Sequence, residues 1–218
     1  MNYRNFKFLA LFLLCLSGCS LFKTTNIENT VTIGTQVWMT KNLDVDHYRN
    51  GDSIPEVRDS IQWLNLKTGA WCYYNNSDSL GKIYGKLYNW YAVNDLRGLA
   101  PAGWNVPNDS EWTILTTFLG GDSIAGGKLK ETGTVHWWKW KPNTAGTNES
   151  GFSALPGGWR YGNDGGFRII GFSGHWWTFT EINATYASGR GMETFGTFVN
   201  RDIGYKAYGF SVRCIKDK

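Results

Sequence analysis

The chain has 218 residues, 22 Lys and Arg against 18 Asp and Glu, and a net charge of +4. With no block of basic residues, that balance excludes a nucleic-acid-binding surface built on charge. Aromatic residues make up 16% of the chain, 12 of them Trp, beside 27 Gly; this excludes disorder and points to a loop-rich fold whose backbone turns often and whose rings fill the gaps.

Arg4 and Lys7 precede an apolar run, Phe8 to Leu16, which has the length of a signal-peptide core and is too short to span a bilayer. Leu16-Ser17-Gly18-Cys19 follows and resembles the bacterial lipobox, which implies cleavage before Cys19 and lipidation of its thiol. An ordinary signal peptide that happens to contain cysteine is the alternative. Each buried methylene of an acyl chain contributes about 0.8 kcal/mol, so several chains together hold a protein firmly at a membrane. Ser20 follows the cysteine, not Asp, so retention at an inner membrane is not signalled, and the expected location is the outer membrane, on either face. Residues 1–18 are therefore expected to be a lipoprotein signal peptide, 19–30 a lipidated tether, and 31–218 one domain large enough to bury its own core.

Val31 to Leu43 alternates and is β-branched at its start, with Gly34 offering a turn, which predicts a strand or hairpin. Asp44 to Lys67 carries scattered Asp, Asn, Gly and Pro and reads as loop with short extended pieces. "GAWCYYNN", Gly69 to Asn76, reads as a short buried strand or an aromatic loop. Leu87, Trp90, Tyr91 and Asn94 follow helical spacing and predict a helix stopped at Gly98. In "PAGWNVPNDSEW", Pro101 and Gly103 predict a turn. Asn108 is placed as an N-cap with Glu111 three residues on, so a helix is expected from Asp109 to about Leu119. One more helical turn is expected around Ala125 to Lys130. From Thr132 to Gly174 the chain is mostly turns, and its last part alternates again in "HWWTFTE", "TFGTFVNRD" and "AYGFSVRCIKD". Helices grouped early and strands grouped late predict an α+β fold with two main helices and a long loop-rich C-terminal half.

Seven segments, in order, resemble the Fibrobacter succinogenes major paralogous domain. They are "VWMTKNL", "YGKLYNWYAVN", "PAGWNVPNDSEWTILTTFLGG", "AGGKLKETG", "PNTAGTNESGFSALPGGWRYGNDGGF", "GHWWTFTE" and "YGFSVRCIKD", and they span about residues 31 to 217. The resemblance implies a C-type-lectin-like or formylglycine-generating-enzyme-like mixed domain. In such a domain the first and last strands pair, here Val31 to Met39 near Phe210 to Ile215, and C-terminal loops form one exposed face. It also places the protein in secreted or surface proteins of Bacteroidota and their relatives. The chain departs from the family pattern at Ala100, where many members carry a cysteine, at Asn105, where many carry His, and in Trp177 to Glu181, where many read Trp-Ser-Ser-Thr-Glu.

Once the signal peptide and lipid have claimed Cys15 and Cys19, only Cys72 and Cys214 remain. In an oxidising compartment they are candidates for a disulfide, and the alternative is two small buried thiols. Ala100 deprives Cys214 of the partner that the resemblance would give it. His47, His136 and His175 are scattered, and no His-x-x-x-His, Cys-x-x-Cys, nucleophile elbow or phosphate-cradling loop occurs, so neither a metal, nor a cofactor, nor catalysis is expected. "NDGG", Asn163 to Gly166, reads first as a turn and only second as a calcium loop. Four Asp-Ser-aliphatic triplets, at Ser53, Ser60, Ser79 and Ser123, are similar to an O-glycosylation acceptor of exported Bacteroidota proteins, although Asp-Ser is also common in turns.

The expected function is recognition. Aromatic rings on rigid loops present large area at little entropy cost and suit a glycan or a protein partner. The candidate ligand-binding rings are Trp138, Trp140, Trp159, Tyr161, Trp176 and Tyr186, each of which could equally fill the core. The partners expected are the membrane, through Cys19, and a glycan or protein ligand, with no nucleic acid. A structural or assembly role in the cell envelope is the alternative.

Overall fold

The computed structural model describes residues 29–139 and 146–218. The expected signal peptide, Cys19, nearly all of the tether and the candidate ring Trp140 lie outside the described residues. The domain is α+β.

It opens on the expected hairpin. Strands β1 (Thr30–Ile33) and β2 (Gln36–Met39) pair antiparallel around Gly34, which takes the positive φ of 61° that the turn requires. The last strand, β11 (Ile215–Lys216), lies between β2 and β5 (Trp104–Asn105), giving the order β1-β2-β11-β5. Ile215 faces Trp38 on one side and Asn105 on the other. Bonds from Met39 N–H to Cys214 O (3.0 Å) and from Leu43 N–H to Val212 O (2.8 Å) continue the join. The two ends of the domain thus close one sheet, as the resemblance implies.

The proline corner delivers β5 to that sheet. Trp104 N–H returns to Pro101 O at 3.0 Å. Asn108 then caps α4 (Asp109–Phe118) in a reciprocal box: its side chain accepts Glu111 N–H, and the Glu111 carboxylate accepts Asn108 N–H, both at 2.9 Å. Trp112 and Leu115 are the buried apolar residues of this helix. After Gly121, α5 (Asp122–Leu129) runs longer than the single turn expected there.

The helix expected from Leu87 does not form. Gly85, at φ 74°, ends α2 (Asp78–Tyr84), and Leu87–Tyr88 becomes β4, paired with β3 (Trp71–Cys72). Tyr88 also exchanges both main-chain bonds with Phe210. Asn89 then caps a four-residue helix, α3 (Trp90–Val93), and its side-chain oxygen accepts from both Ala92 and Ala70. Tertiary pairing with two distant segments overrides the helical spacing of Leu87, Trp90 and Tyr91. The two longest helices are therefore α4 and α5. The region read as loop from Asp44 to Lys67 holds a fifth helix, α1 (Ser60–Leu64), capped by Asp59.

Beyond a small ribbon of β6 (Trp159–Arg160) and β7 (Phe167–Arg168), a second sheet runs β10-β9-β8: β8 (Ser173–Glu181), β9 (Tyr186–Glu193) and β10 (Asn200–Tyr205). Trp38, Trp63, Trp90, Trp112, Trp176 and Trp177 are fully buried. Most of their indole N–H groups pin a distant segment: Trp63 to Ala207 O (2.8 Å), Trp90 to Thr178 O (3.0 Å) and Trp177 to Tyr88 O (2.8 Å). Each such ring adds apolar burial and a satisfied donor at once.

Buried cations do similar work in the C-terminal half. Arg213, wholly buried, donates to Phe152 O (2.6 Å), Met39 O (3.1 Å) and the side-chain oxygen of Asn42 (2.8 Å), with no carboxylate among them; burial pulls its pKa down to about 9. Arg160 donates to Val57 O (2.6 Å), Arg58 O and Gly165 O. Loops with few main-chain partners of their own are held by these forks.

Cys72 and Cys214 are free, buried thiols in separate core clusters, Cys72 beside Trp63 and Leu87 and Cys214 beside Trp104 and Val106. The pairing reading is corrected: each thiol fills space in its own cluster. Among the described residues no helix is long and apolar enough to cross a membrane.

Candidate functional site

The C-terminal half brings five aromatic rings into one strip. Tyr186 opens β9 and faces Tyr205, the last residue of β10, their rings 4.5 Å apart. Tyr208 follows in the next turn, its N–H bonded to Tyr205 O at 2.7 Å, and its ring lies 5.4 Å from that of Tyr205. Tyr208 then meets Tyr161 at 5.2 Å and Trp159 at 5.0 Å. All five rings are half-buried, with one part in the fold and one part in solvent. The loops approach closely because residue 162 is glycine: a Cβ there would lie 2.9 Å from the Ala207 carbonyl carbon and 3.0 Å from the Tyr208 ring.

Burial, and then a hydrogen bond with Tyr161, push the Tyr208 hydroxyl above its ordinary value; a hydrogen bond with Tyr205 does the same for Tyr186. These hydroxyls stay protonated through the physiological range and can donate to a ligand.

At the inner end of the strip, Trp159 packs 5.8 Å from His175 on β8, and Phe210 stacks on that imidazole at 5.2 Å while meeting Trp159 at 5.9 Å. His175 Nδ1 is 2.7 Å from Asp202 Oδ2, and its Nε2 is 3.0 Å from Ser173 Oγ. This is the hydrogen-bond connectivity of a Ser-His-Asp relay, but Ser173 is wholly buried, so no substrate carbonyl reaches its hydroxyl. The same connectivity recurs in the open at Asp46, His47 and Ser53, where His47 and Asp46 are more than half exposed and water competes for both bonds. Glu181 is bound to Lys206 and Asp202 to His175, so the two carboxylates serve different partners. Among the described residues no three His, Cys, Asp or Glu side chains gather to hold a metal ion.

The candidate rings thus separate. Trp159, Tyr161 and Tyr186 share the strip. Trp138 is 62% exposed, lies over Gly171 and belongs to a different group of rings with Phe172, Phe195 and Phe198. Its neighbour Trp137 points inward, with its N–H on Ala154 O at 2.9 Å. Trp176 is corrected: it is fully buried and donates to Asn42 Oδ1 at 2.9 Å, so it presents no ring to a ligand. Strand alternation put it inward, and Trp177, though next in line, is buried as well because both faces of β8 are covered. Tyr205 and Tyr208 were missed from the candidate set; their spacing, Tyr205-x-x-Tyr208 at the end of a strand, was the signal.

The Asn163–Gly166 segment is a turn. The Asp164 carboxylate accepts Gly166 N–H at 2.8 Å and pairs with Arg168. The four Asp-Ser-aliphatic serines are all exposed, and three of the triplets sit at the starts of α1, α2 and α5, as the capping and turn preferences of Asp and Ser predict.

A family model of the Fibrobacter succinogenes major domain matches residues 31–216. No curated protein and no solved structure matches the chain. The family match takes in every strand but the first residue of β1, both long helices and all five rings of the strip. The chain belongs to the Fibrobacter succinogenes major domain family.

Proposed function

We propose that this chain is an envelope lipoprotein, anchored in the outer membrane through Cys19, whose domain is a non-catalytic binding module. The strip from Tyr186 through Tyr205 and Tyr208 to Tyr161 and Trp159 receives a glycan or protein ligand. The observation that carries this reading is five half-exposed rings held in contact on strand ends and tight turns. Such a surface is already ordered before binding, so little entropy is lost when a ligand lies on it. The closure of the domain by its own terminal strands, with a loop-rich half beside them, supports a C-type-lectin-like architecture. In that architecture the loops are free to vary while the sheet holds them.

A glycan array and a pull-down with the lipidated protein test the reading. Tyr186→Ala and Tyr161→Ala are expected to abolish the signal while the folded fraction stays unchanged; a signal insensitive to both changes would move the site elsewhere. Palmitate labelling that disappears in Cys19→Ser tests the anchor.

The second reading, an assembly component of the envelope, is favoured by one observation: the exposed ring of Trp138 is joined through Phe172 to Phe195, itself 40% exposed. A stable envelope complex lost on Trp138→Ala, and retained on Tyr186→Ala, would support it over the first.

A further inference from the structure

Two clefts meet beside the outer end of the strip. One, of about 120 Å³, is lined by Lys67, Tyr91, Thr185, Tyr205 and Lys206 among others. The other, of about 420 Å³, has Trp90, Asp95 and Arg97 in its wall and shares Lys67, Tyr91 and Lys206 with the first. Tyr205 belongs both to the smaller cleft and to the strip, so a ligand lying across the rings has one continuous path into this recess.

The charges of the recess are unequal in their partners. Lys206 pairs with Glu181 and sits 4.8 Å over the Trp90 ring. Arg97 is held by Asp95 at 2.8 Å and by Asp52 at 3.2 Å. The Arg97 fork pulls the Asp95 carboxyl down to about 2, so that pair stays ionised and closed. Lys67 is exposed, lines both clefts and has no ion pair with any described carboxylate. Thr68, Tyr91 and Thr185 line the same junction and supply neutral hydroxyls. A recess with one cation left over, next to a stacking surface, is complementary to a ligand that combines flat apolar faces with a negative charge.

We infer that the ligand of the strip is an acidic glycan: sugar rings lie on Tyr205, Tyr186 and Tyr208, and a carboxylate or sulfate is seated at Lys67. This rests on the strip being the binding surface. It adds the chemical class of the ligand and the residue that selects it. A lysine offers a point charge without the planar fork of arginine, so either anion fits the position.

The test titrates the full chain with an oligogalacturonate, a heparin-derived oligosaccharide and a neutral cello-oligosaccharide of equal length. The two acidic probes distinguish carboxylate from sulfate. Lys67→Gln is expected to weaken binding of at least one acidic probe about three- to tenfold and to flatten its salt dependence. Neutral binding, and the matched surface change Lys216→Gln, are expected to leave affinity where it was. Tyr205→Ala, with Tyr186→Ala as a second variant should the first fold poorly, is expected to remove binding of every probe. If the ring variants abolish binding while Lys67→Gln changes nothing, or weakens acidic and neutral probes alike, the inference is overturned and the strip stands. If no probe binds the native chain, the inference is overturned while a protein ligand of the strip still stands; if the ring variants bind as well as the native chain, the strip reading falls and the inference falls with it.

Discussion

Asp202 on β10 reaches past the central strand to His175 on β8, Oδ2 to Nδ1 at 2.7 Å. The central strand allows this because residue 191 has no side chain: a Cβ there would lie 2.4 Å from the same carboxylate oxygen. Gly191→Ala is therefore expected to push the carboxylate off the imidazole and to cost about 1–3 kcal/mol, the usual penalty of overfilling a packed site. The urea midpoint checks this. An unchanged midpoint would mean that Asp202 has other room and that the cross-strand bond holds nothing.

The correction at Trp176 makes a contrast between two aromatic residues once grouped together. Trp176→Ala removes a fully buried ring and leaves Asn42 without that donor, so a loss of about 3–5 kcal/mol and a low soluble yield are expected. Tyr186→Ala, at a half-exposed strand end, is expected to cost less than about 1 kcal/mol. Denaturation curves of the two variants decide it, and equal losses would contradict the assignment of one ring to the core and the other to the surface.

Burial pushes the Cys72 and Cys214 thiols up to about 12 from an ordinary 9.0. A thiol that holds its proton longer in the folded chain gives stability that is full below pH 9 and lost as pH rises toward 12. Burial also lifts the Tyr48 hydroxyl to about 12, with the same sign above pH 10. Lys130 acts oppositely: burial holds it down to about 8, so its unfolded form binds more protons between pH 8 and 10.5, and its contribution rises across that window. Arg213, held down to about 9, acts with the same sign as Lys130 above that pH, but the two thiols and the raised phenols of Tyr48, Tyr88 and Tyr208 outnumber these two cations, so folding stability is expected to decline above pH 10. The decline should be shallower in Cys214→Ala, as a pH series of urea midpoints would record.

The thiols also give a direct chemical readout. Alkylation mapped by peptide is expected to leave Cys72 and Cys214 unmodified in the native chain and to modify both in denaturant without reductant. Protection of both in denaturant would restore the disulfide.

Arg190 is fully buried on β9 and donates twice to one carboxylate oxygen: Asp109 Oδ1 lies 2.6 Å from Nη2 and 3.0 Å from Nε. Asp109→Asn leaves that guanidinium only the more distant Asp122 carboxylate, 3.8 Å from Nη1, and is expected to destabilise the domain by about 2–4 kcal/mol. Asn108→Ala, one residue earlier, removes only the cap of α4 and is expected to cost about 1 kcal/mol. A reversed order of the two losses, read from thermal and urea unfolding, would show that α4 is held by its cap and not by β9.

Local chemistry was readable wherever neighbours in the chain suffice. Asn108 and Glu111 announced α4 and Gly34 announced the first turn, while the shared sheet of the two ends was implied by the family resemblance, with which their β pattern agrees. Leu87 to Asn94 misled because its spacing is helical while its main-chain partners, Trp71 and Phe210, lie far away in sequence. The strip was half legible. Trp159, Tyr161 and Tyr186 were named from composition, but nothing in composition separates Trp176 from them, since both faces of β8 are covered by segments that arrive from elsewhere.

By itself the sequence determined the class of the fold, the caps and turns, and an aromatic, loop-rich C-terminal half, because each of these depends on residues within a few positions of one another. Which rings meet in one strip, which are sealed in the core, and which lysine lines the recess without an ion pair to a described carboxylate were decided only in three dimensions. Burial and pairing are properties of where distant segments end up, and glycines such as Gly162 and Gly191 set those approaches by the side chain they lack.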